Sequence, residues 1–277
     1  MGQKRKRNTI GFYLFVILFV GSMVLPFIWL FLSSVKTRME LFTVPIAILP
    51  AELQWNNYLE VFEVQPFGDY IRNSIVTATI STTVILVISC MASYSLARVQ
   101  MRGKTVFLMA LLSVSLLPPV TLLSPMYELL SAMSLLNTSL GLALAIAAIE
   151  LPMAVWFLTG YFQNVPDSLE ESGMLDGASY TQIFLRIICP LVTPGIFTIG
   201  ILMFINSWNN YLFALVFNSL PSARTATVAI TLFQSDYTIP WEIISAASII
   251  LTAPLVIVVL ILQKWIVSGM LDGGVKG

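Results

Sequence analysis

Histidine is absent from this 277-residue chain, and cysteine occurs only twice, at Cys90 and Cys189. The first absence removes the Ser-His-Asp triad, the HExxH metal site and imidazole general-base chemistry. Two thiols cannot build a disulfide framework or a four-sulfur metal site, and both lie in apolar runs where they read as small apolar residues. Charge is scarce as well. Asp, Glu, Lys and Arg make up 10% of the residues, against roughly 25% in soluble domains. The 14 basic and 14 acidic side chains cancel, which excludes a strongly basic nucleic-acid-binding surface. What abounds is apolar surface: 57% of residues are hydrophobic and the mean hydropathy is +0.88. The class is an all-α, multispanning membrane protein.

Six apolar stretches of about 18 residues or more carry few charges, at 10–32, 73–97, 105–127, 138–162, 183–205 and 243–266. They are continuously apolar rather than alternating, so they read as helices and not as strands of a barrel. Lys4, Arg5, Lys6 and Arg7 precede the first. A signal peptide shares such a start, but this run exceeds an h-region of about 7–15 residues and no clear small-residue cleavage site follows. It reads as an uncleaved first span.

With the N-terminus in the cytoplasm, six spans return the C-terminus to the same side. Ten basic residues then lie inside (Lys4, Arg5, Lys6, Arg7, Arg98, Arg102, Lys104, Arg186, Lys264 and Lys276) and four outside (Lys36, Arg38, Arg72 and Arg224). That is the positive-inside distribution. The whole of 1–277 reads as one transmembrane domain. The external segments 33–72 and 206–241 exceed what joining two helices requires. Either they pack on the outer face or meet a partner there, or they form interfacial amphipathic helices.

The internal loop 163–186 carries the most information. Pro166 stops the preceding helix, and Ser168 with Glu171 three residues on predicts a capping box opening a short helix. Gly177 is a candidate left-handed stop. Leu169, Met174 and Leu175 give the helix an apolar side, Asp167, Glu170, Glu171 and Asp176 an acidic one, and Arg186 is the nearby balancing charge. Such a helix suits docking into a basic groove on another protein, or it is a solvated connector.

Glu171-Ser172-Gly173, then Asp176-Gly177-Ala178, with Phe184, Ile188, Pro190 and Pro194 downstream, resembles the EAA motif of permease subunits of binding-protein-dependent ABC importers. Ser172 and Gly173 stand where that family usually has two alanines. The likeness extends along nearly the whole chain. Its further carriers are Asn73-Ser74, Ala92–Arg98 with Gly103-Lys104, Pro118-Pro119, Pro125-Met126-Tyr127, Trp208-Asn209-Asn210-Tyr211 and Gly273–Gly277. Together they are similar to the smaller, maltose-type permease of carbohydrate importers.

The resemblance implies a multi-pass protein of the prokaryotic plasma (inner) membrane that imports a di- or oligosaccharide. Its implied partners are a second homologous permease, two ATP-binding subunits and an extracytoplasmic sugar-binding protein. The loop helix becomes a cytoplasmic coupling helix, with Glu170, Glu171, Ser172, Gly173, Asp176, Gly177 and Ala178 as ATPase-coupling residues. The Gly-rich tail is either an insert between the ATPase subunits or a frayed end.

Arg102-Gly103-Lys104-Thr105 looks like the end of a phosphate-binding loop, but the pattern needs glycine where Arg98 stands, and no parallel strand precedes it. ATP and Mg are therefore expected on a partner, with no cofactor on this chain and no enzyme activity of its own. Glu150 is the one clear intramembrane carboxylate, two residues before Pro152, which cannot donate to the carbonyl of Ala148. It either faces a wet substrate path or sits protonated against a neighbouring helix. Trp208, Asn209, Asn210 and Tyr211 offer rings and amides suited to sugars, although aromatic residues also gather at membrane interfaces for structural reasons. The competing reading is a secondary sugar transporter driven by an ion gradient. It wants several intramembrane ionisable groups or an inverted repeat, and neither is visible.

Overall fold

The computed structural model describes residues 2–234 and 238–274, with side chains over 12–234 and 238–263. The described residues are mostly helical and contain no strand. In chain order the first helices are α1 (Gly2–Ser34), α2 (Arg38–Leu41), α3 (Asn56–Val64), α4 (Phe67–Arg98), α5 (Lys104–Val114) and α6 (Leu123–Ala132). There follow α7 (Ser139–Gln163), α8 (Ser168–Leu175), α9 (Tyr180–Ile183), α10 (Cys189–Trp208), α11 (Leu212–Phe217), α12 (Ala226–Ala229) and α13 (Trp241–Gly274).

Five segments are long and apolar enough to cross a membrane: Phe12–Ser34, Phe67–Arg98, Ser139–Gln163, Tyr180–Trp208 and Trp241–Gln263. The sixth is broken, which corrects the straight helix expected over 105–127. Lys104–Val114 and Pro119–Ala132 meet at 84°. Pro118 and Pro119 have no N–H with which to continue the ladder of α5, so its last carbonyls are taken by the local turns of Ser115, Leu116 and Leu117. A 3-10 turn, Pro119–Leu122, then feeds α6.

The fifth span also departs from regular geometry. Pro190 cannot donate to the carbonyl of Arg186, and the turn Phe184–Ile188 is π-helical, with the Cys189 N–H reaching back to Phe184. By contrast α7 runs unbroken through Pro152. At the far end α13 continues through Gly273 and Gly274, so the described part of the glycine tail is helical. Residues 275–277 of that tail lie outside the described residues.

The chain divides into two compact units, Met1–Phe67 with Ile230–Ala253, and Gly68–Ala229 with Pro254–Gly277. In the first, the segment after α1 folds back as α2 and α3. Asn57 is buried and donates to the carbonyls of Ser34 and Lys36, both at 2.9 Å. The Ser34 and Tyr58 hydroxyls share a bond of 2.7 Å. Buried Lys36 donates to Ala47 O and lies 4.8 Å from the Trp29 ring centroid. These contacts satisfy polar groups that would otherwise be stranded beside an apolar span.

The second unit holds two apolar clusters that share α7. Ile85 of α4, Leu158 and Phe162 of α7, and Val192, Ile199 and Met203 of α10 form one. Leu130 of α6, Leu142 and Ile146 of α7, and Phe213 and Phe217 of α11 form the other. Close helix approach is paid for in glycine: a Cβ on Gly195 of α10 would lie 2.6 Å from the Tyr161 ring of α7.

Candidate functional site

The segment between α7 and α10 is built from two linked helix signals. Gly177 has φ +81°, its N–H bonds to Met174 O at 3.0 Å, and the Ala178 N–H bonds to Gly173 O at 3.0 Å. This is a Schellman stop, and Gly is the residue that adopts the left-handed region without steric cost. The next residue but one, Ser179, opens α9 with a capping box. Its N–H donates to Gln182 Oε1 at 2.8 Å, and the Gln182 N–H donates to Ser179 Oγ at 3.4 Å. Asp176, Gly177 and Ala178 are thus the turn between two helices, with Ala178 packed on the apolar cluster of α4, α7 and α10.

The capping box expected at Ser168 and Glu171 does not form. Asp167 is the N-cap, with helical backbone and no side-chain cap bond, and Ser168 is the first residue of α8. The helix opens one residue early, so Ser168 sits inside its first turn and not at the cap. Asp167 Oδ1 lies 3.2 Å from Arg98 Nη1.

Arg98, the last residue of α4, organises the whole corner. Its Nε donates to Glu170 Oε1, its Nη1 to Phe162 O at 3.1 Å and its Nη2 to Val165 O at 3.2 Å. Tyr94, one turn earlier on α4, donates its hydroxyl to the other Glu170 oxygen at 3.0 Å. Pro166 has no N–H to offer the Phe162 carbonyl, and the guanidinium supplies a donor there. Glu170 is 8% exposed, so its charge is nearly withdrawn from solvent and fully partnered.

Two expectations change as a result. The charge that balances the acidic helix is Arg98, whereas Arg186 is exposed on the π-helical turn. Glu170 faces inward and leaves the acidic rim to Glu171, Asp176 and Asp167, which are exposed. Arg98 was missed because it is 72 residues from Glu170 in sequence. The available signal was its place at the end of the second span, the end expected to lie on the same side as the loop.

The remaining residues expected to couple divide by face. Gly173 is buried, and a Cβ there would lie 3.0 Å from Ile187 Cδ1 and 3.2 Å from Ile183 Cγ1. Glu171 and Ser172 are exposed beside Met174, at 42%, and Leu175, at 90%. The outer face of α8 is therefore apolar and acidic, and uncovered by the other described residues.

On the path residues, Glu150 of α7 is half-buried and accepts a 3.3 Å bond from Asn206 Nδ2 of α10, a partner not singled out from sequence. Trp208 does not offer a free ring: it is 2% exposed and stacks on Phe204 with centroids 6.1 Å apart. Asn210 spends its Oδ1 on the Phe213 N–H at the start of α11. Asn209 and Tyr211 are exposed.

Comparison with known proteins shows the family. A family described as binding-protein-dependent transport system inner membrane component matches residues 91–272. The chain is 38% identical over 252 residues to the sulfoquinovosyl glycerol transport system permease protein of Agrobacterium fabrum, covering 91% of this chain and 88% of that one. It is 34% identical over 271 residues to the trehalose/maltose transport system permease protein of Thermococcus litoralis, covering 95% and 97%. Among solved structures, a chain of a bacterial ABC transporter involved in the import of the acidic polysaccharide alginate shares the fold. Its TM-score is 0.79 at 21% identity, over 94% of this chain and 97% of that one. The chain belongs to the family of inner membrane components of binding-protein-dependent transport systems. It is a multi-pass inner-membrane permease.

Proposed function

We propose that this permease couples ATP hydrolysis by two separate ATP-binding subunits to the import of a di- or oligosaccharide. The observation that carries the reading is the bare face of α8. Glu170 and Gly173 hold the helix to the chain, while Glu171, Ser172, Met174 and Leu175 point away from it. An exposed leucine and methionine flanked by carboxylates fit a groove with an apolar floor and a basic rim on a partner. ATP and Mg sit on that partner, on the cytoplasmic side. A second homologous permease completes the pathway, and an extracytoplasmic sugar-binding protein delivers the cargo.

The sugar class is supported by relatives whose names specify sulfoquinovosyl glycerol and trehalose or maltose. The binding protein is supported by the family description and by an alginate transporter solved with a pentasaccharide-bound periplasmic protein. Within the chain, the Glu150–Asn206 pair and the exposed Asn209 and Tyr211 are the groups we assign to the path. The decisive experiment is a short bifunctional cross-link from Ser172→Cys in intact vesicles. It joins the permease to a nucleotide-hydrolysing subunit, and Glu171→Lys weakens the product. A cross-link that reaches no such subunit refutes the coupling role.

A further inference from the structure

We infer that Arg98 is the joint through which α8 moves the membrane helix α4, a positioning residue for transport rather than part of the docking face. The inference rests on the proposed docking of α8 to an ATPase subunit. A knob pushed by a partner transmits displacement only if its attachment is stiffer than the peptide that carries it. The peptide here is the connector 164–167, broken by Pro166 and leaving α7 without a continuous helix into α8. By itself it is a hinge.

Arg98 spans that hinge from the side. One planar group bonds the carbonyls of Phe162 and Val165 before the break and the carboxylates of Asp167 and Glu170 after it. All three guanidinium nitrogens are used, and a planar fork holds four directions at once in a way that an ammonium cannot. Tyr94 adds a second tether from α4 to Glu170, and its ring also packs against Phe162 and Phe184, with centroids 5.9 and 4.9 Å away. The first turn of α8 is therefore bonded to the last turn of α4 by charge-assisted hydrogen bonds in a largely buried corner. Motion of α8 passes into α4, and the connector cannot absorb it by swivelling.

The test uses the assembled transporter in vesicles, with Cys90 and Cys189 replaced by serine and one reporter, Val76→Cys, in the other half of α4. Its labelling rate by a membrane-impermeant maleimide is compared with and without a non-hydrolysable ATP analogue, and the Ser172→Cys cross-link is measured in parallel. In the parent the nucleotide changes the labelling rate. Arg98→Lys and Glu170→Gln keep the cross-link yield within about twofold, yet shrink the nucleotide-dependent change by about tenfold, the scale of one lost charge-assisted hydrogen bond. An unaltered response in both variants, or no response in the parent, overturns the joint. Loss of assembly or of the cross-link in both variants also overturns it, because Arg98 would then merely build the docking face. A parent cross-link that reaches no ATPase sinks the coupling role instead, which separates the two failures.

Discussion

Replacing Gly177 by alanine isolates the backbone contribution to the α8 stop. A Cβ at this position meets nothing within 4 Å, so no packing penalty arises. The cost is conformational: φ is +81°, and an L-residue in the left-handed region costs about 1–2 kcal/mol. That corresponds to roughly a 5- to 30-fold rise in the locally open population of the stop. The two bonds at risk are Gly177 N–H to Met174 O and Ala178 N–H to Gly173 O. Amide hydrogen exchange resolved at Gly177 and Ala178 reads them directly, with protection falling by that factor. Gly177→Asn recovers part of it, since asparagine tolerates this region better.

Gly173→Ala, four residues earlier, is the control with the opposite expectation. Its φ is not in the left-handed region, and alanine gains up to about 1 kcal/mol of helix propensity. Against that, Ile187 Cδ1 and Ile183 Cγ1 must yield a few tenths of an ångström from 3.0 and 3.2 Å, and the first is the end of a flexible chain. Exchange at Ala178 should change by less than about threefold, in line with a near-cancelling sum. If Gly177→Ala left both amides as protected as before, or if Gly173→Ala proved the more damaging, the Schellman assignment would be wrong.

Two further outcomes follow from contacts on the two units. Gly195→Ala drives a Cβ to 2.6 Å from the Tyr161 ring and should lower stability in detergent by about 1–3 kcal/mol, with Tyr161→Ala in the same chain recovering part of the loss; strict additivity of the two changes would contradict the contact. Glu40 is held below the ordinary carboxyl range, first by the Ala51 N–H and then by the Thr37 N–H and hydroxyl. The charged form is favoured by the fold, so the contribution is complete above about pH 4.3 and is lost as pH falls through the depressed value. Exchange at the Thr37 and Ala51 amides should accelerate beyond its intrinsic pH trend on acidification towards about pH 3, and Glu40→Gln should abolish that extra acceleration; an identical profile in the variant would refute it.

The spans were legible because the bilayer imposes one requirement on every residue of a crossing segment. The helical stop at Gly177 was equally legible, since one residue type answers one backbone need. The third span shows the limit. Its composition, including Pro118 and Pro119, announced an apolar segment, but an 84° turn depends on where each half finds packing. The Ser168–Glu171 signal failed for a related reason. Both residues suit a capping box, yet local chemistry cannot register that the helix opens one residue earlier, at an Asp167 paired with the distant Arg98.

The sequence by itself determined the solvent, the approximate helical segments and the residues of the turn that ends α8, all of which depend on local composition and on backbone preferences of single residues. Only the tertiary structure decided which carboxylate of α8 faces inward, that Arg98 is its partner, that Trp208 is covered by Phe204 and that Glu150 meets Asn206. Those pairings join helices far apart in the chain, and what selects them is the need to satisfy each buried charge or ring with whatever group the packing brings within a few ångströms.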